Sequence, residues 1–250
     1  MSIYIIADLH LSPDTKELNQ SFFNFCHNLI EGDVLYILGD FFDYFIEPDP
    51  NNSLHPLLKQ HFLALKNLGI KVWFMHGNRD FLLTKKMASF FEFNLTKDNE
   101  VINSAGRRIL LMHGDELCTA HKSYTLFRFI SRCRLLQMLF FSCTSYNYRQ
   151  HIARNMRQNS RRNFERHNCV REQINEAEAR RRLKKANCDI LIHGHTHHVS
   201  VIHRTDPKVS IYDTGDWSSK GYSYIKIASP NAMPEITICQ LDGNPTATLN

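Results

Sequence analysis

The chain has 250 residues, of which 43% are hydrophobic and 22% are charged, and its formal net charge is +5. This composition supports a buried core and excludes disorder over the whole length. No window approaches the roughly 20 consecutive apolar residues of a transmembrane helix, and the N-terminus lacks the basic segment of a signal peptide. Its seven cysteines form no C-x-x-C pair, so neither a disulfide framework nor a thiolate metal site is expected. We therefore expect a cytoplasmic protein.

The positive charge is concentrated in one segment. Residues 121–187 contain 16 Lys and Arg but only 4 Asp and Glu, whereas the rest of the chain contains 14 and 21. A strongly basic segment on an acidic body favours an anionic partner, such as a phosphate ester, a nucleic acid or a membrane surface.

Apolar runs and helical spacings alternate through the first half of the chain, which is typical of an α/β fold. The runs predict strands, each followed by a polar turn, and the 3.6-residue spacings predict the helices between them. The strands are predicted over Ile3–Ala7, Val34–Leu38, Val72–Met75 and Ile109–Met112, and the helices over Leu18–Ile30, Leu54–Leu68 and Phe81–Phe91.

The alternation stops at residue 121 and resumes near residue 189. Between them, apolar residues at helical spacing predict a helix over Leu126–Phe141, and the Arg-rich stretch Tyr148–Lys185 is predicted to be mostly helical. We interpret 121–187 as a basic helical insertion in a single domain covering 1–250. The later strands, separated by Gly and Pro, predict a hairpin-rich sheet over Asp189–Ile192, Val199–His203, Val209–Tyr212, Tyr222–Ile227 and Glu235–Leu241.

Five short polar motifs follow five of the predicted strands. Ligands in open α/β sheets gather at the carboxyl ends of strands, so these motifs are expected to meet at one edge. They are Asp8-Leu-His10, Gly39-Asp40, Gly77-Asn78-Arg79-Asp80, His113-Gly-Asp115 and His193-Gly-His195-Thr-His197.

The motifs supply only oxygen and nitrogen ligands. Seven candidate ligands are too many for one tetrahedral site and suit two metals that share a carboxylate. Asp40 is the expected shared ligand, and the neutral Asn78 leaves the pair of dications with net positive charge that attracts phosphate. The candidate metal ligands are Asp8, His10, Asp40, Asn78, His113, His195 and His197.

These motifs, in this order, resemble those of the calcineurin-like metallophosphoesterases. The resemblance implies a β-sandwich flanked by helices, with two metals at the strand ends. It also implies that Asp8, His10, Asp40 and His197 hold one metal. The second metal would be held by Asp40, Asn78, His113 and His195.

Within that family the chain is similar to one branch over roughly residues 1–227. The branch has Arg79 where many members carry a catalytic His, and it shares the segments Ile5–Leu11, Leu35–Asp40, Leu111–Asp115, Leu117–Thr119 and Asn159-Ser160. This branch hydrolyses the diphosphate of UDP-linked acylated glucosamine in lipid A synthesis, using manganese. The resemblance therefore implies two divalent metals, expected to be Mn²⁺, and release of UMP and an acylated sugar 1-phosphate.

The same resemblance suggests residues that act on substrate. Arg79 and His195 are the expected catalytic residues, and Arg79 can clamp a phosphate through two parallel hydrogen bonds. The expected substrate-binding residues are Asn78, Arg79, His121, Ser160, Asn163, Arg166, His167 and His195. The chain departs from the branch at three positions. His121 stands in place of an Asp, and Phe164 and His167 stand in place of an Asn and a Lys, with Asn163 and Arg166 one position before each.

The resemblance favours a lid that binds acyl chains as the role of 121–187, although periodicity alone would place its apolar helix in an ordinary core. Its Phe, Leu and Met side chains suit acyl chains, and its Arg side chains suit an anionic membrane surface. The expected location is the cytosolic face of an inner membrane, as a peripheral protein. No nucleic acid is expected as partner, and no protein partner can be inferred.

Two other functions fit the same motifs. One is a phosphodiesterase or nuclease acting on nucleotides or RNA, with the basic segment along a phosphate backbone. Tyr146, Tyr148 and Phe164 could then stack on bases, although long aliphatic stretches are unusual in such surfaces. The other is a non-catalytic scaffold, which the complete set of seven ligands disfavours.

Overall fold

The computed structural model describes residues 1–49, 51–104, 106–119, 128–166, 173–206, 208–228 and 232–249, with the backbone alone over 159–166. Its strands are β1 Ile3–Ile6, β2 Val34–Ile37, β3 Lys71–Phe74, β4 Asn94–Leu95, β5 Asn99–Ser104, β6 Arg107–Met112, β7 Ile190–His193, β8 Val199–Thr205, β9 Lys208–Thr214, β10 Tyr222–Ile227, β11 Glu235–Cys239 and β12 Pro245–Leu249. Its helices are α1 Lys16–His27, α2 Leu54–Asn67, α3 Lys85–Phe90, α4 Arg134–Cys143, α5 Tyr146–Arg166 and α6 Glu176–Ala186.

Two sheets form the centre of the molecule. The first has the order β12-β11-β10-β1-β2-β3-β4 and the second β5-β6-β7-β9-β8. Strands β1, β2 and β3 are parallel to one another, as are β6, β7 and β9. Because parallel neighbours end at the same edge, the chain segments after β1, β2 and β3 leave the first sheet together, and those after β6 and β7 leave the second together.

The sheets pack face to face, with helices outside. Ile5 of β1 and Ile225 of β10 share one buried cluster with Leu111 and Ile192 of the other sheet. Ile6, next to Ile5, points the other way, into a cluster with α1 and α2, because successive side chains of a strand alternate between faces. Helix α6 covers the outer face of the second sheet. The predicted sandwich flanked by helices is confirmed.

Helix α6 returns the chain from the inserted segment to the second sheet. The side chain of Asn175 accepts hydrogen bonds from the backbone N–H groups of Ala177 and Glu178, which satisfies donors that the first helical turn leaves unpaired. Asn187 ends the helix in the left-handed conformation that Asn tolerates, with φ of 53°. Ala179 and Leu183 are buried against the sheet, so this end of the insertion is fixed to the body.

The prediction of one continuous helix over Leu126–Phe141 is wrong. Residues 128–131 are helical, but Cys133 is extended, with ψ of 113°, and begins α4 as a separate helix. Before this break, Arg132 donates a hydrogen bond to Asp98 at 2.7 Å and lies 3.2 Å from Asp115. These contacts hold one helical turn against the body, while no residue of α4 is buried. Among the described helices, none has the length and hydropathy needed to cross a bilayer.

Candidate metal centre

The five motifs meet where the two sheets end. Asp8 and His10 follow β1, Asp40 follows β2 and Asn78 follows β3, all in the first sheet. In the second sheet, the candidate ligand His113 follows β6, and His195 and His197 follow β7. The sandwich therefore brings together seven side chains that are separated along the sequence by as many as 189 positions, from 8 to 197.

The first ligand group consists of Asp8, His10 and His197, whose potential ligand atoms all lie within 4.8 Å of one another. The two imidazole Nε2 atoms are 3.2 Å apart, and Nε2 of His197 is 3.7 Å from Oδ1 of Asp8. These three atoms converge on one point, as the ligands of a single cation do.

The second group consists of Asp40, His113 and His195, again within 4.8 Å. Asn78 joins it, because its Oδ1 lies 3.0 Å from Nε2 of His113. Nε2 of His113 is also 3.6 Å from Oδ1 of Asp40. Nδ1 of His113 donates to the carbonyl of Leu38 at 2.7 Å, which leaves Nε2 as the ring's lone-pair nitrogen.

The residues present fit divalent metals. Oδ1 of Asp8 is buried and has no hydrogen-bond partner among the described residues. A buried carboxylate oxygen without a partner is costly, and a cation at this point would satisfy it. Nε2 of His113 and Oδ1 of Asn78 also face each other as two acceptors, an arrangement that a cation between them would stabilise. Oxygen and nitrogen donors without sulfur suit manganese, iron or zinc.

The backbone of the centre is strained at its ligands. Seven described residues other than glycine have positive φ, and five of them are candidate ligands: Asp8, His10, Asp40, His195 and His197, with φ between 50° and 73°. This region is unfavourable for residues with a β-carbon, and such strain clusters at functional sites. Asp and His are enriched in this region compared with most other residues that carry a β-carbon, but their presence in a sequence does not identify such a position.

Two glycines allow the ligand loops to approach each other. A β-carbon on Gly77 would overlap the Asp40 carboxylate, and one on Gly194 would overlap the carboxylate of Asp8. The Asp8 carboxylate also accepts a hydrogen bond from the backbone N–H of His195 at 2.6 Å, which ties the loop after β1 to the loop after β7.

Asp80 and Asp213 hold the loops in place without pointing at the ligand groups. Asp80 is fully buried and accepts hydrogen bonds from the backbone N–H groups of Phe41 at 2.9 Å and Gly77 at 2.7 Å. It thereby joins the Asp40 loop to the Asn78 loop. Asp213 is hydrogen-bonded to the hydroxyl of Thr196, between the two histidine ligands of the last motif.

Burial controls the protonation of the metal-free centre. Burial, helped by the negative charge of Asp40, raises the pKa of Asp8 to about 7. It lowers the pKa of His113 to about 4, and with the charge of Arg79 it lowers the pKa of His10 well below the usual value. Burial opposes the charged form of His197, but the hydrogen bond to Asp216 and the charge of Asp8 raise its pKa. Two of the histidines are therefore held as neutral rings, the form in which imidazole binds a metal.

Arg79 lies beside the centre. Its Nε is 3.3 Å from Oδ2 of Asp40, and its Nη1 is 3.3 Å from Oδ1 of Asp43. Arg157 of α5 contacts the same Asp43 oxygen at 2.6 Å. Asp43 and Arg157 were not singled out from the sequence, although Asp43 lies only three residues after Asp40. The two arginines place positive charge next to the ligands, where a substrate phosphate would need it.

A second unpredicted ionic cluster joins the insertion to the centre. Asp115 lies two residues after His113, and its Oδ2 is 2.7 Å from Nε of Arg128 and 3.2 Å from Nη2 of Arg132. Burial would raise the pKa of Asp115, but the charges of His113, Arg132 and Arg128 outweigh it and lower the pKa to about 2. Arg132 also donates to the carbonyl of Gly77 at 3.3 Å, immediately before Asn78.

A cavity of about 510 Å³ opens beside Asn78 and Arg79. We call it the apolar cavity, because most of its remaining wall is aliphatic or aromatic. The wall comes from the insertion and from the loops after β2 and β3, and it includes Phe81, Leu82, Ile130, Leu136, Phe140, Ile152, Ala153 and Met156.

Several predicted substrate-binding residues lie outside what the structure describes. His121 and His167 fall outside the described ranges, as do the side chains of Ser160, Asn163 and Arg166. Asn78, Arg79 and His195 lie together at the centre, as given above. His193, considered a supporting residue, is buried in β7 with Nδ1 2.9 Å from the carbonyl of Gly194.

Known proteins resemble this chain in sequence and in structure. Two curated relatives are named UDP-2,3-diacylglucosamine hydrolase. The protein from Aliivibrio fischeri (strain MJ11) is 34% identical over 224 residues, 88% of this chain and 92% of its own length. The protein from Proteus mirabilis (strain HI4320) is 36% identical over 207 residues, 82% of this chain and 85% of its own. Among solved structures, Vps29 from Entamoeba histolytica complexed with Zn²⁺ aligns over 100% of this chain and 98% of its own, with 14% identity and a TM-score of 0.48.

A family model identifies the protein family of this chain. The model described as calcineurin-like phosphoesterase matches residues 1–199, which include every motif from Asp8 to His197. Both the sandwich and the order of the motifs at its strand ends are those expected from the sequence. The chain therefore belongs to the calcineurin-like phosphoesterase family.

Proposed function

We propose that this protein is a two-metal hydrolase of UDP-2,3-diacylglucosamine in lipid A biosynthesis. It would release UMP and 2,3-diacylglucosamine 1-phosphate (lipid X). The observation that carries the proposal is the position of the apolar cavity, which begins at Asn78 and Arg79 beside the two ligand groups. One site thus offers a place for phosphate next to a place for acyl chains. The names of the curated relatives support the same substrate.

The reaction is a hydrolysis. The oxygen of one water forms a bond to phosphorus, the P–O bond of the anhydride breaks, and its oxygen leaves on the other phosphate. The water's proton passes to solvent or to the departing phosphate. When bound, two divalent cations would polarise the phosphoryl oxygens and lower the pKa of the attacking water. We propose Mn²⁺, held by Asp8, His10, Asp40 and His197 at one site and by Asp40, Asn78, His113 and His195 at the other.

The chain's own side chains bind and orient the diphosphate. We propose that Arg79 clamps a phosphate oxygen, because its guanidinium already lies within 3.3 Å of both Asp40 and Asp43. His195, one of the second ligand group, faces the same phosphate and stabilises the charge that develops on it. His121, Ser160, Asn163, Arg166 and His167 are proposed to bind the sugar and its phosphate.

The acyl chains are proposed to occupy the apolar cavity. Its volume, about 510 Å³, lies within the range of ligand pockets, and side chains such as Leu136, Phe140 and Met156 provide the wall. Segment 121–187 of the single domain would thus act as a lid. Arg149 fixes the lid by an ion pair with Glu47, a residue of the body. The apolar wall favours this substrate over the RNA alternative.

Helix α4 is proposed to contact the membrane that supplies the substrate. Leu135 is 65% exposed and Met138 is 68% exposed, and Arg134 begins the same helix. Exposed apolar side chains beside arginine suit the interface of an anionic bilayer. We propose peripheral binding at the cytosolic face of the inner membrane through this helix.

The proposal is tested by hydrolysis of UDP-2,3-diacylglucosamine with added Mn²⁺. His10→Ala and Asp40→Ala are assayed beside the parent protein, with bis(p-nitrophenyl) phosphate as a generic diester. We expect UMP release that both substitutions abolish. Hydrolysis of the diester without UMP release would retain the metal chemistry and contradict the substrate. RNA and nucleotides would then be assayed.

Vesicles containing anionic lipid test the membrane contact, and Leu135→Glu with Met138→Glu should weaken binding to them.

A further inference from the structure

A second cavity lies on the other side of the segment that bounds the apolar cavity. It has a volume of about 580 Å³, and we call it the polar cavity. Both cavities are lined by residues 43–46 and by Arg157, so one short segment separates them. The polar cavity plays no part in the binding of acyl chains or metals described above.

The polar cavity lies next to the loop that carries His10. Leu11 and Ser12, which line it, directly follow the candidate ligand His10. The backbone N–H of Asp43 donates to the carbonyl of Leu11 at 3.0 Å, which closes this corner. Asp43 in turn contacts Arg79, and Arg79 contacts Asp40. A diphosphate lying along Arg79 would therefore have the apolar cavity on one side and the polar cavity on the other.

The wall of the polar cavity fits a neutral, hydroxyl-rich heterocycle better than a lipid or a second phosphate. The carboxylates of Asp14, Asp43, Glu47 and Asp49 outnumber the guanidinium groups of Arg154 and Arg157 in this wall, so its net charge is negative and disfavours an anion. The amides of Asn51 and Gln158 both donate and accept. Tyr44, one of the residues of the separating segment 43–46, adds an aromatic ring.

Uridine has the matching groups. Its ribose offers two vicinal hydroxyl donors, and carboxylates are established partners of ribose hydroxyls in other nucleotide sites. Its uracil ring offers one N–H donor and two carbonyl acceptors, which side-chain amides can pair with. The volume of the cavity lies within the usual range for a small-molecule site.

We infer that the polar cavity binds the uridine of the nucleotide half of the substrate. This inference rests on the proposed function and adds to it an assignment of the two halves: the acylated sugar on one side of residues 43–46, and the nucleoside on the other. The phosphate of UMP remains beside Arg79, outside the acidic part of the wall.

The test measures inhibition of bis(p-nitrophenyl) phosphate hydrolysis by UMP, ribose 5-phosphate and inorganic phosphate, with Mn²⁺ present. UMP should inhibit at least tenfold more strongly than inorganic phosphate. Asp14→Asn and Gln158→Ala should each weaken inhibition by UMP about three- to tenfold, which is the effect of one lost hydrogen bond. Inhibition by inorganic phosphate should stay unchanged in both variants. Calorimetric titration of UMP should show the same loss without any turnover. Leu136→Ala serves as the matched control, and it should weaken lipid X but not UMP.

The outcomes separate this inference from the proposed function. Equal inhibition by UMP and inorganic phosphate would overturn it, as would UMP affinity unchanged in both Asp14→Asn and Gln158→Ala. If UMP binds as expected but UDP-2,3-diacylglucosamine is not hydrolysed, the substrate assignment fails while the nucleoside site stands. If that substrate is hydrolysed and the two substitutions leave UMP affinity intact, the substrate assignment stands while the nucleoside site fails.

Discussion

The left-handed backbone at the candidate ligands predicts an unusual order of stability for two variants at one position. His197 has φ of 58°, a conformation that costs a residue with a β-carbon about 1–2 kcal/mol and costs glycine little. We expect His197→Gly to be more stable than His197→Ala in the metal-free protein. Both substitutions remove the imidazole and its contacts with Asp216 and His10, so those losses cancel in the comparison.

The expected difference is about 1 kcal/mol. Relief of the left-handed strain favours glycine by about 1–2 kcal/mol, and the greater freedom of glycine in the unfolded chain offsets about 0.4–1 kcal/mol of that. Urea unfolding in excess EDTA measures it. With a slope of about 3 kcal/mol per molar urea, the midpoint of the glycine variant should lie about 0.3 M above that of the alanine variant.

A matched pair on a regular helix should show the opposite order. Gln60 is exposed in α2, and Gln60→Gly should be about 1 kcal/mol less stable than Gln60→Ala. If His197→Gly proves equal to His197→Ala or less stable, the left-handed backbone at this position carries no strain.

Three further predictions concern ions and protons. Arg132→Ala should lower the free energy of unfolding by about 2–3 kcal/mol in thermal denaturation, because buried Asp115 loses one of its two arginines, and an unchanged stability would contradict the role of this cluster. Mn²⁺ at about one hundred times its Kd should raise stability by about 2.7 kcal/mol in differential scanning fluorimetry, and Asp40→Asn should abolish most of this gain. In EDTA the stability of the parent protein relative to Asp8→Asn should fall as pH rises from 5 to 8, because the raised pKa of Asp8 lets the folded state keep a proton that the unfolded chain has released. Urea unfolding of both proteins at pH 5 and 8 measures this difference, in which the histidines common to both proteins cancel, and an unchanged difference would contradict the raised pKa.

The layered fold could be predicted because its strands occur in the sequence as apolar runs. The sequence Ile3–Ile6 is apolar throughout since β1 is covered on both faces, and polar motifs stand out where such runs stop. The same logic placed the candidate ligands at one edge. Their roles as metal ligands remain predictions.

Errors arose where a distant contact overrides local periodicity. The helix predicted over Phe81–Phe91 forms only as α3, Lys85–Phe90. Before this helix the backbone turns, and the Asp80 carboxylate accepts hydrogen bonds from the N–H groups of Phe41 and Gly77. The hydroxyl of Thr84 then caps the helix by accepting a hydrogen bond from the N–H of Met87 at 3.4 Å. Apolar spacing carries no information about such a contact.

The unpredicted parts of the site depend on tertiary structure. Asp43 and Arg157 are 114 positions apart, and their pairing exists only once α5 crosses the loop after β2. Strand β12 was also missed, because all its residues are exposed and its sequence Pro-Thr-Ala-Thr-Leu shows no buried face. Hydrophobic patterning detects only elements that bury something.

Arg132 has a consequence for ligand binding. It belongs to the insertion, yet it touches both Asp115, two residues after His113, and the carbonyl before Asn78. A ligand that moves this turn of the insertion must also move two metal-ligand loops. Since thermodynamic coupling is reciprocal, occupancy of the apolar cavity and occupancy of the metal centre are expected to change each other's affinity by the same factor. The insertion and the metal-ligand loops should therefore respond to ligands together, through Arg132 and through Arg128 on the same Asp115 carboxylate.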